Sequence, residues 1–347
     1  MLSRVLKQQV PTSAGAIVMA TGILLLGAMQ KVVFQHKELA IISTTLVLLL
    51  LFILYIAFVR DMILGVMWER HFCDPISSFG VGTWIAATSV SILVIMNFAL
   101  FLRPIALILF LLNCILTISY IAIIVRNYIL LFKSNGSRLR KKVHGILLLA
   151  SVAIQSIIAA GQSVFGKPFV AVFGTWLWWT GCLLYGLGFV LILNRYIRSE
   201  DRNLAQNWKN TNCIIHGAMS ISGLVGATMD VVSPAILVMV WIWVMIAFCI
   251  VEGIEIARSM QRIKRYGWKE GMWIYDTSQW ARNFTFGMLL AFSMHLPKQG
   301  ILTHFVNTKS FVLSIGPYIV VILFVVEVLI ALTGRTTASK IPESVNM

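Results

Sequence analysis

The stretch YDTSQWARNFTFGMLLAFSMHL, Tyr275–Leu296, begins with polar and charged residues and continues as an apolar run. A Gly follows a Phe near its middle, and Ser293 and His295 come later. Polar groups and Gly inside a membrane helix usually face other protein or a water-filled path rather than lipid. For any single polar residue of this segment, helix–helix packing is an equally good explanation. We expect this segment to be a transmembrane helix that similar helices surround.

The composition of the whole chain is that of an integral membrane protein. Of 347 residues, 59% are hydrophobic and 12% are charged, with a mean hydropathy of +0.88. Apolar runs of about 20 residues, the length that crosses a bilayer, recur from end to end. The sequence predicts one all-α transmembrane domain over residues 1–347, with short tails outside about 11–333. Ten spans are predicted: Pro11–Phe34, Leu39–Val59, Phe79–Phe101, Pro104–Val125, His144–Phe165, Phe169–Asn194, Thr211–Met229, Pro234–Ala257, Gln279–Leu296 and Phe311–Thr333.

The distribution of Lys and Arg predicts the orientation of these spans. With a cytoplasmic N-terminus, the cytoplasmic segments hold 22 Lys and Arg and the outer loops hold 6. Cytoplasmic loops carry the excess of such residues in membrane proteins. We therefore expect a multi-pass protein of the plasma membrane with both termini in the cytoplasm. Topology also explains most of the formal charge of +15, so nucleic acid is not an expected partner.

Small residues alternate between successive spans. Gly, Ala, Ser and Thr are about twice as frequent in the odd spans as in the even ones. Small residues let helix backbones approach closely, whereas large aliphatic residues suit contact with lipid. The alternation predicts five helical hairpins, in which the odd helices form a central ring around an axial path and the even helices form an outer ring.

Neutral polar groups dominate the central parts of the odd spans, and carboxylates are absent there. Neutral donors suit the partial dehydration of an anion, whereas a fixed cation would hold it too tightly. Each of these residues also has an alternative role to lining a pore. A Gly can serve close helix packing, and a Ser or Thr hydroxyl can bond to a carbonyl of its own helix. The candidates for lining a pore are Thr21, Gly22, Thr83, Thr88, Gln155, His216, Ser220 and Gly287.

Other chemistry has little support in the sequence. Of the carboxylates in even spans, Glu255 is explained by an i,i+3 pair with Arg258, while Glu327 has no local partner. A contact of Glu327 with another helix or subunit and a proton-coupling role both stay open. His144 and His216 lack companions at ligand spacing, and the five cysteines are scattered, so no metal or disulfide is expected. No catalytic constellation or cofactor motif is found, so we do not expect an enzyme.

Four stretches carry a resemblance in their order and spacing: Val18–Gly22 (VMATG), Asp74–Phe79 (DPISSF), Ser151–Gly161 (SVAIQSIIAAG) and Trp280–Met288 (WARNFTFGM). On these, the chain resembles the tellurite-resistance/dicarboxylate transporter family, which includes plant slow anion channels, fungal malate permeases and sulfite exporters. The resemblance implies ten helices in five hairpins, a pore lined by the odd helices, and a homotrimer. It also implies a phenylalanine gate, which falls on Phe286. Asp74 and Gly287 stand where the family often has His and Pro, which leaves the substrate and the tightness of closure open.

Three hypotheses follow for the function. The first is a gated path for small anions through a five-helix pore. The second is a proton-coupled exporter or carrier for sulfite, tellurite or four-carbon dicarboxylates, with Glu327 and His216 as proton sites. The third is a membrane receptor or scaffold that uses the basic and aromatic segment Arg258–Ser278.

Overall fold

The computed structural model describes residues 10–133, 137–199, 203–230, 232–296 and 305–336. Most of the predicted tails, 1–9 and 337–347, lie outside the described residues, and with them Arg4, Lys7 and Lys340. Within this part of the chain, ten main helices follow one another. They are α1 (Gly15–Leu26), α2 (Lys37–Ile63), α3 (Gly82–Phe98), α4 (Arg103–Phe132), α5 (Leu149–Phe165), α6 (Thr175–Ile197), α7 (Ile214–Met229), α8 (Pro234–Met272), α9 (Trp280–His295) and α10 (Val306–Thr333).

Short elements connect the main helices. Single 3₁₀ turns precede α3, α5, α7 and α9, at Ser77–Val81, Gly145–Leu148, Asn210–Cys213 and Thr277–Gln279. A two-residue parallel pair joins β1 (Ile274–Tyr275) to β2 (Arg335–Thr336). The remaining short pieces are Gln30–Gln35, Met67–His71, Leu100–Leu102, Ser137–Arg140, Lys167–Phe169, Val170–Gly174 and Leu204–Asn207.

Seven helical segments of the described residues are long and apolar enough to cross a membrane. The helices α1, α7 and α9 have 12, 16 and 16 residues and are shorter than a full span. The chain is therefore an all-α, multi-pass membrane protein. The count of ten crossings stays a prediction.

The odd-numbered helices contact one another in a closed cycle. Helix α1 packs against α3, α3 against α5, α5 against α7, α7 against α9, and α9 against α1 again. Each even-numbered helix lies against two consecutive members of this cycle. Thus α2 contacts α1 and α3, α4 contacts α3 and α5, and α6 contacts α5 and α7, with α8 and α10 continuing the same order.

Burial separates these two sets of helices. The segments Ser77–Phe98 and Gly145–Phe165 are each 89% buried over their most apolar window. The corresponding value for Val306–Thr333 is 17%. Large apolar side chains cover the exposed faces of α2, α4 and α10, as expected for surfaces that contact lipid tails.

Glycine permits the close contact between neighbouring odd helices. A Cβ on Gly15 would overlap the backbone of Thr83 at the start of α3, and a Cβ on Gly82 would overlap that of Leu149 on α5. Gly145, just before α5, meets the backbone of Thr211 before α7 in the same way. These approaches bring the beginnings of the helices together at one end of the molecule.

Candidate functional site: a cationic vestibule and a closed axis

The beginnings of the five odd helices surround one open vestibule of about 650 Å³. The N-terminal end of a helix carries partial positive charge and unsatisfied N–H groups, so five such ends favour an anion. Each odd helix contributes a polar residue from the turn before it. These residues are Ser13, Ser77, His144, Thr211 and Ser278.

Basic side chains add to this positive potential. Arg70, Lys209, Arg258 and Arg262 line the vestibule, together with the single carboxylate Asp276 among the described lining residues. Burial, followed by the neighbouring charges of Arg195 and Arg258, lowers the pKa of Lys209 below its usual value. Positive groups in a cleft raise the local concentration of anions.

The imidazole of His144 presents a hydrogen-bond donor in the same vestibule. Its Nδ1 accepts the backbone N–H of Ile146 at 3.4 Å and lies 2.7 Å from the Thr211 hydroxyl oxygen. Because Nδ1 is an acceptor, the proton of the neutral ring is on Nε2. Within the described residues, Nε2 has no hydrogen-bond partner.

A small closed void of about 10 Å³ is enclosed by the first turns of the same five helices. Ser13, Thr83, Thr211 and Ser278 are among its lining residues, and the surface presented to the void is apolar. Its apolar lining includes Met19 and Phe284, which are 1% and 2% exposed. The remaining lining residues are Ala16, Leu149, Ile214 and Ala281. The void has room for about one water molecule, so the axis is closed here.

Phe286, the gate residue that the resemblance implies, is half-buried in a different place. Its ring centroid lies 6.0 Å from that of His216 on α7 and 5.1 Å from that of Phe248 on α8. The phenylalanine of α9 that lines the central void is Phe284. Both aromatic residues are therefore candidates for the barrier, and they point to different neighbours.

The predicted pore-lining residues are spread over several environments. Thr83 lines the central void. Thr88 bonds to Tyr55 on α2 at 2.6 Å, and Gln155 donates to the Trp178 carbonyl on α6 at 3.1 Å.

The hydroxyls of Thr21 and Ser220 donate to carbonyls of their own helices, 2.9 and 2.8 Å away. Gly22 faces Val90 on α3, and Gly287 faces Ile23 on α1. Only Thr83 of the predicted set lines the void among the described residues, and a pore-lining role for the others stays a prediction.

An ionic network connects α7, α8 and α9 below the vestibule. Arg282 on α9 lies 3.3 Å from Glu252 and 3.1 Å from Glu255, both on α8. Glu252 is also 3.4 Å from His216 Nε2. The predicted i,i+3 pair is confirmed, since Arg258 lies 2.8 Å from Glu255. The network fixes Arg258 in the vestibule wall and holds the start of α9 against α8.

Glu327 is the buried carboxylate of α10, at 6% exposure. Its Oε1 has no hydrogen-bond partner within the part of the chain that the structure describes. Neither of its two open roles is decided by this position.

Thr83 was predicted to line the pore, whereas Ser13, Thr211 and Ser278 were not, because polar groups at mid-membrane depth were expected to line the path. The vestibule and the void are instead formed by the first turns of the odd helices, where Ser13, Thr83, Thr211 and Ser278 recur. A hydroxyl thus recurs near the starts of α1, α3, α7 and α9, which is a pattern the sequence contains. The role of Arg282 was also readable, because its partners are the carboxylates of the preceding span.

The helical fold and the cationic vestibule define a membrane protein suited to passing anions. A family model described as SLAC1, voltage-dependent anion channel, matches residues 9–333. The chain belongs to this family, so the predicted resemblance is confirmed, and the family is one of anion channels and transporters. The comparison with curated proteins found no match.

Proposed function

We propose that this protein conducts small anions along the axis of the five odd helices. The observation that carries the proposal is the position of the vestibule and the central void, which are both enclosed by the starts of the same five helices. The closed cycle of contacts among α1, α3, α5, α7 and α9 supports a path between them. In this proposal the ten helices form five hairpins of one transmembrane domain, and the even helices form the outer ring.

The proposal places the vestibule on the cytoplasmic side of the plasma membrane. The Lys and Arg excess predicts this side for both termini and for the loops that precede the odd helices from α3 onward. The assembly by family resemblance is a homotrimer with one path in each subunit. No carboxylate is among the described residues that line the void, which disfavours a path for cations.

An apolar barrier closes the path in the described conformation. An ion that enters an apolar constriction without water loses its hydration, which is energetically costly. Phe284 is the largest apolar side chain that lines the void, and it is 2% exposed. The lining favours Phe284 as the barrier, whereas the family resemblance favours Phe286.

The experiment is anion flux into liposomes that contain the purified protein, with chloride, nitrate, sulfite and malate as separate probes. The proposal expects flux of at least one of these anions and none of sodium or potassium. Protein that is inserted and monodisperse but passes no anion, under an applied voltage of either sign, would contradict it.

A second candidate, a proton-coupled carrier, is favoured by one contact. His216 Nε2 lies 3.4 Å from Glu252, and the ring of Phe286 packs on the same imidazole. A proton shared by this pair could be linked to movement of Phe286. Uptake of sulfite, tellurite or malate is measured with and without a pH gradient. A proton-coupled carrier takes up more anion when the gradient is present, whereas a passive channel responds only to the membrane voltage that the gradient creates.

A further inference from the structure

The wall of the vestibule contains hydrogen-bond donors that lack acceptors. Trp208 and Arg258 both line the vestibule, and they are 5% and 6% exposed. The Nε1 of Trp208 and the Nε of Arg258 have no hydrogen-bond partner within the described residues. Buried donors nearly always find an acceptor, so two such donors in one wall require an explanation.

More donors face the vestibule from the same side. Lys209 forms no hydrogen bond or ion pair within the described residues, and His144 carries the Nε2 proton deduced above. Arg262 also lines the vestibule and uses its Nε to donate to the Gly271 carbonyl, 2.8 Å away. Donors and positive charge are therefore in surplus, and Asp276 is the one carboxylate among the described lining residues.

The chain segment that carries these donors is held in place. The carbonyl of Asn207 accepts bonds from Tyr196 at 3.3 Å and from Arg195 at 3.4 Å. The rings of Tyr196 and Trp208 pack with centroids 5.1 Å apart. Next along the chain, Asn210 binds Arg258 at 2.7 Å. A donor set with fixed geometry binds a ligand without a large loss of conformational freedom.

The geometry points to an oxyanion-binding site in the vestibule wall, formed by His144, Trp208, Lys209, Arg258 and Arg262. A carboxylate, sulfate or phosphate group offers several acceptor oxygens in different directions and pairs with a guanidinium through two of them. A halide has no such arrangement of acceptors. The vestibule volume of about 650 Å³ also accommodates a polyatomic anion. The inference deepens the proposed function, on which it rests, by naming multi-oxygen anions as the class that the vestibule selects.

Binding is measured by calorimetry on the full-length protein in nanodiscs of zwitterionic lipid. The probes are sulfate, inorganic phosphate, succinate and chloride at matched ionic strength. We expect the oxyanions to bind at least about tenfold more tightly than chloride. The variants Lys209→Met and Arg262→Met should each weaken sulfate binding about tenfold. Equal affinity for sulfate and chloride would overturn the inference.

The matched control is Lys264→Met, which removes an exposed cation two residues from Arg262 outside the vestibule lining. It should leave the sulfate affinity unchanged. If Lys264→Met weakens sulfate binding as much as Lys209→Met does, general surface charge explains the result and the site does not exist. Monodisperse elution of each variant ensures that the comparison is made on folded protein.

A second arm tests whether the chain supplies its own acceptors. The acids Glu200 and Asp201 lie in 200–202, outside the described residues. The double variant Glu200→Gln/Asp201→Asn should bind sulfate with the same affinity as the natural protein. If sulfate binds only to this variant, Glu200 and Asp201 occupy the vestibule donors in the natural protein, and this result would contradict the site. Binding without any anion flux would keep this inference and reject the proposed function.

Discussion

Two phenylalanines of α9, only two positions apart, have different surroundings. Phe284 is almost fully buried and lines the central void with Met19 of α1. Phe286 is half-buried and packs on Phe248 of α8. The first borders the space between the five odd helices, and the second packs on Phe248 of α8 and His216 of α7. The two rings thus lie on different faces of α9. Phe284 is placed to close a path, and Phe286 is placed to hold the helix against its neighbours.

The same division applies to two further residues of α9. Ala281 lies on the void with Phe284, whereas Arg282 lies with Phe286 and reaches the carboxylates of α8. Spacings of three and four residues keep each pair on one face of a helix. The face with Arg282 and Phe286 is bound to α8 by ion pairs and ring contacts, and the face with Ala281 and Phe284 borders the void. We expect the two faces to respond differently to substitution.

The largest difference is expected from a matched pair of truncations, Phe284→Ala and Phe286→Ala. Removing the ring of Phe284 opens the apolar constriction, so the anion current should increase by about tenfold or more. Removing the ring of Phe286 should change the current much less. Currents are compared in oocytes at equal surface expression. The reverse order would favour the gate position that the family resemblance implies and would reject the barrier at Phe284.

The next effect concerns the ionic face. Arg282→Gln leaves Glu252 and Glu255 without their cation from α9, and breaking a buried ion pair in this way costs about 3 kcal/mol. We expect a lower thermal midpoint of the detergent-solubilised protein in a fluorescence-detected unfolding assay. The double variant Glu252→Gln/Arg282→Gln should recover part of the loss, since one uncompensated charge is also removed. An unchanged midpoint in Arg282→Gln would contradict a structural role for this face.

The sequence predicts features that extend over whole spans better than features that depend on the rotation of a single helix. Hydropathy and Lys/Arg distribution act over whole spans, so they predicted the membrane class and the positions of the long helices. Small-residue content likewise distinguished segments such as Ser77–Phe98, 89% buried, from Val306–Thr333, 17% buried. Rotation within a helix is set by its packing against neighbours and is not encoded by composition. Thr83 and Thr88 are both buried threonines of α3, yet one lines the void and the other binds Tyr55.

The candidate site was predicted less completely for the same physical reason. The vestibule depends on the convergence of five helix starts that are far apart in the sequence, and no local pattern reports that convergence. Lys209 was counted only as one of many basic loop residues, although it lines the vestibule. The resemblance supplied α9 as the helix of the gate, and the packing around α9 then distinguishes Phe284 from Phe286.

A smaller effect is expected on the third face of α9, which packs on α1. A Cβ at Gly287 would lie 2.7 Å from Ile23 Cγ2, closer than a normal contact. Gly287→Ala should therefore destabilise the protein by about 1 kcal/mol, because overpacking forces neighbouring side chains to move. Ile23 is 2% exposed, so Ile23→Ala alone should also destabilise the protein, by about 2 kcal/mol or more. Because Ile23→Ala removes the obstructing atoms, the double variant should lose less stability than the sum of the two single losses. Losses that add in full would show that the contact between α9 and α1 is not as described.

The smallest expected effect is on the pH dependence of the anion current, which a vestibule variant should change and an axis variant should not. Burial and neighbouring cations lower the pKa of Lys209, so its positive charge is lost at a lower pH than that of an ordinary lysine. Anion entry assisted by this charge should therefore decline as the pH on the vestibule side rises. Lys209→Arg, which keeps its charge, should flatten the alkaline part of the profile, whereas Phe284→Ala should raise the current without changing its pH dependence. An alkaline decline that persists in Lys209→Arg would show that another group controls entry.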